Sequence, residues 1–179
     1  DDYIEVPDNN TLHLLNQATF SFDLNVDDYT LQDGVYAHIL SKGATDGVLW
    51  SDYAIMIHDG NLLVQMKSNG TNIPSNYIFD INFEIGTMYH VDIIYLESTL
   101  SLYVDGNFVS SVYNVINETN ASSEPLFIGQ RFVENSNGSY SGILDNIAIW
   151  DRALDPGSDL LDNPLDHSDD LIGFWDLEL

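Results

Sequence analysis

Two tight-turn signals constrain the fold of this chain more than any other feature of its sequence. Asp59-Gly60 lies between the two apolar runs of residues 53–66, and Asp105-Gly106 lies between those of residues 99–111. An Asp-Gly pair between two alternating apolar segments supplies the positive φ angles that a two-residue hairpin turn requires. Each segment is therefore predicted to form an antiparallel β-hairpin.

Most of the remaining chain is also predicted to form strands. No part of it shows a sustained helical period of apolar residues, whereas short runs rich in Val, Ile, Tyr and Phe recur between turn residues. Further strands are predicted at residues 19–24, 35–41, 89–95, 126–129 and 142–150, and residues 156–161 are the one candidate for a short helical turn. So many short strands favour an all-β fold of two packed antiparallel sheets.

The order of the segments is similar to that of a known family. YIEVPD near the start is followed by ATFSFDLNV, ILSKG, the first Asp-Gly hairpin, GTMYHVDIIY, LYVDGNFV, PLFIGQ and GILDNIAIWDRAL. In this order, from residue 3 to residue 154, the chain resembles the laminin G-like branch of the concanavalin A-like lectin/glucanase superfamily. The resemblance implies a jelly-roll sandwich of two antiparallel sheets that serves as an extracellular adhesion or carbohydrate-binding module.

One domain spanning residues 1–179 is predicted, since the length suits a single core and no long linker divides the chain. The C-terminal segment 169–179 is similar to the strand that usually opens such a domain. It is predicted to complete the sandwich from the other end of the chain, and the alternative is that it begins a following repeat. Ile172, Phe174 and Trp175 favour completion because they are too apolar to stay exposed.

The formal net charge of −25 excludes polyanionic partners. Only four Lys and Arg residues oppose 29 Asp and Glu residues, so nucleic acid would be repelled rather than bound. No segment is long and apolar enough to form a membrane-spanning helix, so direct membrane insertion is not predicted. The charge is typical either of a salt-adapted, halophilic protein or of an ordinary soluble acidic surface.

Five Asn-x-Ser/Thr triplets lie in stretches rich in Gly, Asn and Ser that are predicted to be loops. The predicted glycosylation sites are Asn9, Asn69, Asn117, Asn120 and Asn137. Such triplets also arise by chance in an Asn-rich chain. Together they favour an extracellular location, on the cell surface or secreted.

A ligand-binding rim is predicted where aromatic side chains lie beside polar loop residues. The flat apolar face of a ring stacks on the C–H surface of a sugar, and neighbouring Asp and Asn side chains hydrogen-bond to its hydroxyls. The predicted ligand-binding residues are Trp50, Asp52, Tyr53, Phe132, Asn137 and Tyr140. Trp150 and Trp175 are instead interpreted as core residues, the common role of Trp in a β-sandwich, and Trp50 fits either role.

A structural calcium ion is predicted at Asp145. Strict alternation along GILDNIAIW places this residue in one row with three isoleucine side chains. A carboxylate among apolar groups requires a cation, hydrogen bonds or a proton, and an all-oxygen site suits calcium. Asp1 and Asp2 are predicted to contribute, and in related sandwiches the Asp at this place often helps to hold a calcium ion. The alternative is that Asp145 accepts hydrogen bonds from the backbone or from Arg152.

No catalytic residues are predicted. The histidines lack metal-ligand spacing, and no Gly-x-Ser-x-Gly motif occurs. Related glucanases carry Glu-x-Asp-x-Glu on one strand, and the nearest match, Asp176-Leu177-Glu178, lacks the third carboxylate. The leading interpretation is a non-catalytic recognition module that binds a cell-surface glycan or glycoprotein and adjoins other domains of a larger surface or secreted protein. The alternatives are a structural spacer or assembly domain of a surface protein or viral spike, and lastly a glycoside hydrolase.

Overall fold

Two six-stranded antiparallel sheets make up the fold in a computed structural model that describes residues 3–28, 36–43, 51–71, 73–131, 138–155 and 164–177. The strands are β1 Ile4–Val6, β2 Gln17–Val26, β3 Ala37–Lys42, β4 Tyr53–His58, β5 Asn61–Met66, β6 Ser75–Phe79, β7 Met88–Leu96, β8 Thr99–Val104, β9 Asn107–Tyr113, β10 Leu126–Ile128, β11 Gly142–Trp150 and β12 Leu171–Trp175. Within these ranges the helical elements are two short 3-10 turns, Asn10–Leu12 and Pro164–His167.

The first sheet has the strand order β1-β10-β3-β4-β5-β6, and the second has the order β12-β11-β2-β7-β8-β9. The predicted all-β sandwich of two antiparallel sheets is confirmed. The candidate helical turn at residues 156–161 lies outside the described residues. In the part of the chain that the structure describes, no helix has the length and hydrophobicity needed to cross a membrane.

Both predicted hairpins are confirmed. Asp59 (φ 49°) and Gly60 (φ 78°) connect β4 to β5, and Asp105 (φ 50°) and Gly106 (φ 73°) connect β8 to β9. Positive φ at both central residues is typical of a type I′ turn, whose twist matches that of the paired strands. These two turns therefore set how the two strands of each hairpin begin to pair, and in the second hairpin the register shifts between Leu102 and Tyr103.

The inner faces of the two sheets enclose one main hydrophobic core. Alternate residues of β2, from Ala18 to Val26, point into it and meet apolar side chains of the first sheet. Trp150 is buried as predicted, but it belongs to a second, smaller cluster with Ile94 and Leu154 on the outer face of the second sheet. Trp175 is partly buried and packs against the main core.

The C-terminal segment contributes an edge strand to the second sheet. β12 pairs with β11 in a register that runs from Ile147↔Trp175 to Trp150↔Leu171. Ile172, like Trp175, packs against the main core. Residues 171–175 therefore belong to this sheet, and the assignment of residues 1–179 to one domain stays a prediction.

A buried polar network holds the loop of residues 114–125 against the ends of β3 and β4. Asp52, 1% exposed, accepts hydrogen bonds from Asn120 Nδ2 (2.6 Å) and from the amide (2.9 Å) and hydroxyl of Ser122. Lys42, also 1% exposed, donates from Nζ to the carbonyl oxygens of Ser122 (2.9 Å) and Glu124 (2.7 Å). The loop thus closes over a carboxylate and an ammonium group that water does not reach.

We expect Asp52→Ala to lower the free energy of unfolding by about 2–4 kcal/mol, because it leaves three donors without their acceptor. Chemical denaturation measures the change. Glu118→Ala is the matched control, since Glu118 is exposed in the same loop and its removal should cost less than about 0.5 kcal/mol. Equal effects of the two substitutions would contradict the role given to the network.

Candidate functional site

The predicted rim residues do not meet at one described site. Trp50, Phe132 and Asn137 lie outside the described residues. Tyr140 is half-buried, and its hydroxyl donates to the Asn25 carbonyl oxygen at 2.8 Å. Of the predicted set, it is the described residue that reaches the surface.

Tyr140 lines a cleft of about 350 Å³ between the two sheets. Tyr3, 40% exposed, lines the same cleft together with apolar side chains and glycines in and beside β1, β10 and β11, and with Leu177 after β12. Among the lining residues that the structure describes, the side-chain polar atoms are the two tyrosine hydroxyls. Such a surface offers few partners for the many hydroxyl groups of a sugar.

The structure corrects the prediction for Asp52 and Tyr53, which are 1% and 2% exposed. β4 begins at Tyr53, and its alternation turns this ring inward onto Phe20, with ring centroids 5.8 Å apart. Burial raises the pKa of the Tyr53 hydroxyl well above its ordinary value. Neither side chain reaches an external ligand, because Asp52 is hydrogen-bonded to the loop of residues 114–125 and Tyr53 packs in the core.

A β-bulge in β11 overturns the predicted environment of Asp145. The register with β2 shifts between Asp145 and Ala148, and Asn146 in between has a φ of 49°. The extra residue reverses the alternation, so that Ile147 joins the core whereas Asp145 lies opposite Asp23 on the outer face. The prediction that Asp145 sits in an apolar row is therefore wrong.

Backbone donors satisfy one oxygen of Asp145. Its Oδ1 accepts hydrogen bonds from the amides of Asn146 (2.7 Å) and Leu177 (3.0 Å), as the alternative interpretation of this residue held. Asp1 and Asp2 lie outside the described residues. Within the described ranges, no group of three or more His, Asp or Glu side chains could hold a metal ion. The calcium ion stays a prediction.

Four of the predicted glycosylation sites lie within the described residues. Asn9, Asn69 and Asn117 are exposed. Asn120 is half-buried, and its Nδ2, the atom to which a glycan would be attached, is 2.6 Å from Asp52 Oδ1. Three sites thus have the accessibility that glycosylation requires, while Asn120 is committed to the loop network.

Sequence reasoning missed an ionic cluster on the outer face of the second sheet. His90 lies between two carboxylates, with Nδ1 2.6 Å from Asp23 Oδ1 and Nε2 3.2 Å from Oδ1 of the buried Asp92. Nε2 is also 3.3 Å from Ser21 Oγ. Asp23 and Asp92 raise the pKa of His90 to about 10, so the ring is an imidazolium ion at neutral pH. The period-two spacing of these polar residues in β2 and β7 is the one signal that could have indicated the cluster.

A groove of about 490 Å³ lies beside this cluster on the same face. Its floor consists of outward-facing residues of β7 and β8, and residues 153–155 after β11 form its wall. Lining residues include Ile94, Leu96, Thr99, Ser101, Tyr103 and Leu154. The exposed carboxylates of Glu97 and Asp155 complete it. The groove therefore combines apolar side chains, an aromatic ring, hydroxyls and two acidic groups.

The hydroxyl of Thr19 holds the wall of the groove in place. It donates to the Arg152 carbonyl oxygen (2.8 Å) and accepts from the Leu154 amide (2.9 Å). Leu154 also packs with Ile94 and Trp150 in the second hydrophobic cluster. The wall is thus attached to the sheet by both hydrogen bonds and apolar contact.

Exposed aromatic rings extend the groove onto the edge strand β9. Phe108, 59% exposed, lies opposite Tyr103, and the two rings meet edge-to-face with centroids 5.4 Å apart. Tyr113, 69% exposed, lies opposite Thr99 at the other end of the hairpin. These rings escaped sequence analysis because an outward-facing aromatic in a strand cannot be distinguished from a core residue until the register is known.

Solved structures share this fold at low sequence identity. A Bacteroides ovatus protein whose proposed role is carbohydrate binding matches with a TM-score of 0.72 at 16% identity, over 98% of this chain and 49% of that chain. The binding domain of Paraclostridial Mosquitocidal Protein 1 matches with a TM-score of 0.64 at 20% identity, over 86% of this chain and 38% of that chain. This chain thus spans half or less of those two proteins.

A third structure is domain 4 of AbnA, a GH43 extracellular arabinanase from Geobacillus stearothermophilus, solved in complex with arabinotriose. It matches with a TM-score of 0.60 at 16% identity, over 86% of this chain and 68% of that chain. At such identities the three likenesses show the fold alone.

The sequence match to a family is broader. No curated protein matches the chain, but a laminin G-type family model, described as the concanavalin A-like lectin/glucanases superfamily, matches residues 1–158. That range is most of the 179 residues, and it confirms the resemblance seen in the order of the sequence segments. The chain belongs to the concanavalin A-like lectin/glucanase superfamily.

Proposed function

We propose that this chain is a non-catalytic module that recognises carbohydrate on a cell surface for a larger secreted or surface protein. The groove on the outer face of the second sheet is the observation that carries the proposal. The Bacteroides ovatus protein and the arabinotriose complex support a carbohydrate ligand. The three exposed sequon asparagines and the extracellular arabinanase with a similar domain support an extracellular location.

The groove offers the kinds of contact that a sugar requires. Tyr103 and Phe108 present ring surfaces to the apolar C–H groups of a sugar, and Thr99 and Ser101 present hydroxyls that both donate and accept hydrogen bonds. The exposed Glu97 carboxylate accepts hydrogen bonds from sugar hydroxyls. This chemistry fits a saccharide better than it fits a purely apolar ligand.

The contacts among Ser21, His90 and Asp23 resemble a hydrolase triad in distance only. The histidine of a triad must be neutral to take the serine proton, whereas a pKa of about 10 keeps His90 protonated. Ser21 is 2% exposed, so a substrate cannot approach its Oγ. The cluster is therefore assigned a structural role.

The described carboxylates do not support glycoside hydrolysis either. Glu97 and Asp155 are exposed to water, whereas the acid of a glycosidase is kept protonated by a pocket of low dielectric. Asp176 follows the edge strand β12, and Glu178 lies outside the described residues. Recognition without turnover is the function that these positions favour.

A glycan microarray probed with the whole chain, followed by calorimetry on the glycans that bind, tests the function. We expect at least one glycan to bind with a Kd below about 1 mM and none to release reducing sugar. Release of reducing sugar would identify a hydrolase. The absence of binding to any glycan at millimolar concentration would contradict carbohydrate recognition.

The edge strand β9 favours one other function, that of a structural spacer or assembly domain. Phe108, Val109 and Tyr113 are exposed on it, and within the described residues its outer edge pairs with no further strand. An open edge with apolar side chains invites pairing with another strand. The absence of glycan binding, together with concentration-dependent oligomers in ultracentrifugation, would support this function instead.

We also propose a calcium ion at Asp145, supported by the net charge of −25 that such an ion would offset. We expect calcium to raise the Tm above that in EDTA, by roughly 2–4 °C for each kcal/mol of binding. Asp145→Asn should abolish this rise, because it removes the charge while keeping an oxygen acceptor for the two backbone amides. Asp166→Asn, at an exposed carboxylate, is the control. Identical melting with calcium and with EDTA would rule out the ion.

His90 predicts how stability changes with pH. Its pKa rises from 6.5 to about 10 in the folded chain, so its stabilisation is complete below pH 6.5 and is lost as the pH rises toward 10. The slope of the unfolding free energy should be at most about 1.4 kcal/mol per pH unit, reduced by screening at this partly exposed ring. His90→Gln should flatten the slope, whereas His58→Gln should not. An unchanged slope in His90→Gln would show that the imidazolium ion is not the cause.

A further inference from the structure

We propose that the groove selects an uncharged oligosaccharide and holds it along strands β8 and β9, an inference that rests on the carbohydrate-recognition function proposed above. Two observations carry it. One is the cross-strand placement of the exposed aromatic rings, and the other is the sign of the charges around the groove.

The aromatic rings lie at the two ends of the β8–β9 hairpin. Tyr103 pairs with Phe108 at the turn end, and Thr99 pairs with Tyr113 at the other end. Along β8, Thr99 and Tyr103 are four residue steps apart, which is about 13 Å at about 3.3 Å per residue. Between them, the hydroxyl of Ser101 lies 2.8 Å from that of its cross-strand partner. A surface of ring, hydroxyls and ring over this length suits an oligosaccharide rather than a single sugar.

The charges around the groove exclude acidic sugars. Among the described residues that line it are the carboxylates of Glu97 and Asp155, and none of them is a Lys or Arg. Arg152 is adjacent in sequence to the wall, but it does not line the groove. A sialylated, sulfated or uronic-acid glycan would therefore place its anion beside two carboxylates without a cation to pair with. For an uncharged glycan, the exposed Glu97 carboxylate is instead a hydrogen-bond acceptor.

The net charge of the chain disfavours a second copy of this chain as the occupant of the groove. Each copy carries a formal net charge of −25, and such like charges repel when two surfaces approach within a Debye length of about 8–10 Å. An uncharged glycan bears no such cost. The strip from Phe108 to Tyr113 contains no charged residue, so it suits a neutral ligand.

The test is an array that pairs neutral glycans with their sialylated and sulfated counterparts, followed by calorimetry with the strongest neutral glycan on single-site variants. We expect the acidic counterparts to bind at least about tenfold more weakly. Phe108→Ala and Tyr113→Ala should each weaken binding on the order of tenfold. Ile78→Ala is the matched control, since Ile78 is 58% exposed on the edge strand β6 of the first sheet, and it should leave binding unchanged.

A gain-of-function variant complements these losses. Glu97→Lys places a cation in the groove and should narrow the difference between neutral and acidic glycans. Equal binding of acidic glycans by the unaltered chain would overturn the selectivity. Neutral binding that Phe108→Ala and Tyr113→Ala leave unchanged would overturn the location while carbohydrate recognition stands. Failure to bind any glycan would overturn the proposed function as well.

Discussion

Burial of both inner sheet faces in one core determines what the remaining surfaces of this molecule can do. Successive side chains of a strand point to opposite faces, so each strand that commits a residue to the core presents its neighbours outward. In β7, Ile93 belongs to the core, while Asp92 and Ile94 point away from it. The ionic cluster around His90, the second hydrophobic cluster and the floor of the groove therefore all follow from one alternation.

The outer face of the second sheet is divided by the segment that follows β11. Thr19 and the apolar contact of Leu154 with Trp150 hold this segment over one part of the face. The part formed by β8 and β9 is left open, with Phe108 and Tyr113 exposed. Exposed apolar and aromatic surface that is continuous with a groove is typical of a binding site, and in a chain with so few cations we propose an uncharged saccharide as its ligand.

The hairpins could be predicted from the sequence because an Asp-Gly turn is a local signal. The superfamily could be predicted because the order of the sequence segments is visible without a structure. The burial of Asp52 could not, because its partners Asn120 and Ser122 lie 68 and 70 residues further along the chain. Strict alternation predicts the wrong face for Asp145 because one bulge at Asn146 inverts a period of two. The groove was missed because its residues come from β7, β8 and the segment after β11, which meet only through strand register.

We propose that the part of the second sheet's outer face formed by β8 and β9 binds a glycan. Two-dimensional amide NMR spectra recorded while a neutral glycan is titrated into the chain test it most directly. We expect the shifted signals to concentrate in β8, β9 and residues 153–155, with those of β3 to β5 in the first sheet unchanged. Shifts confined to the first sheet, or to the cleft beside Tyr140, would contradict the claim.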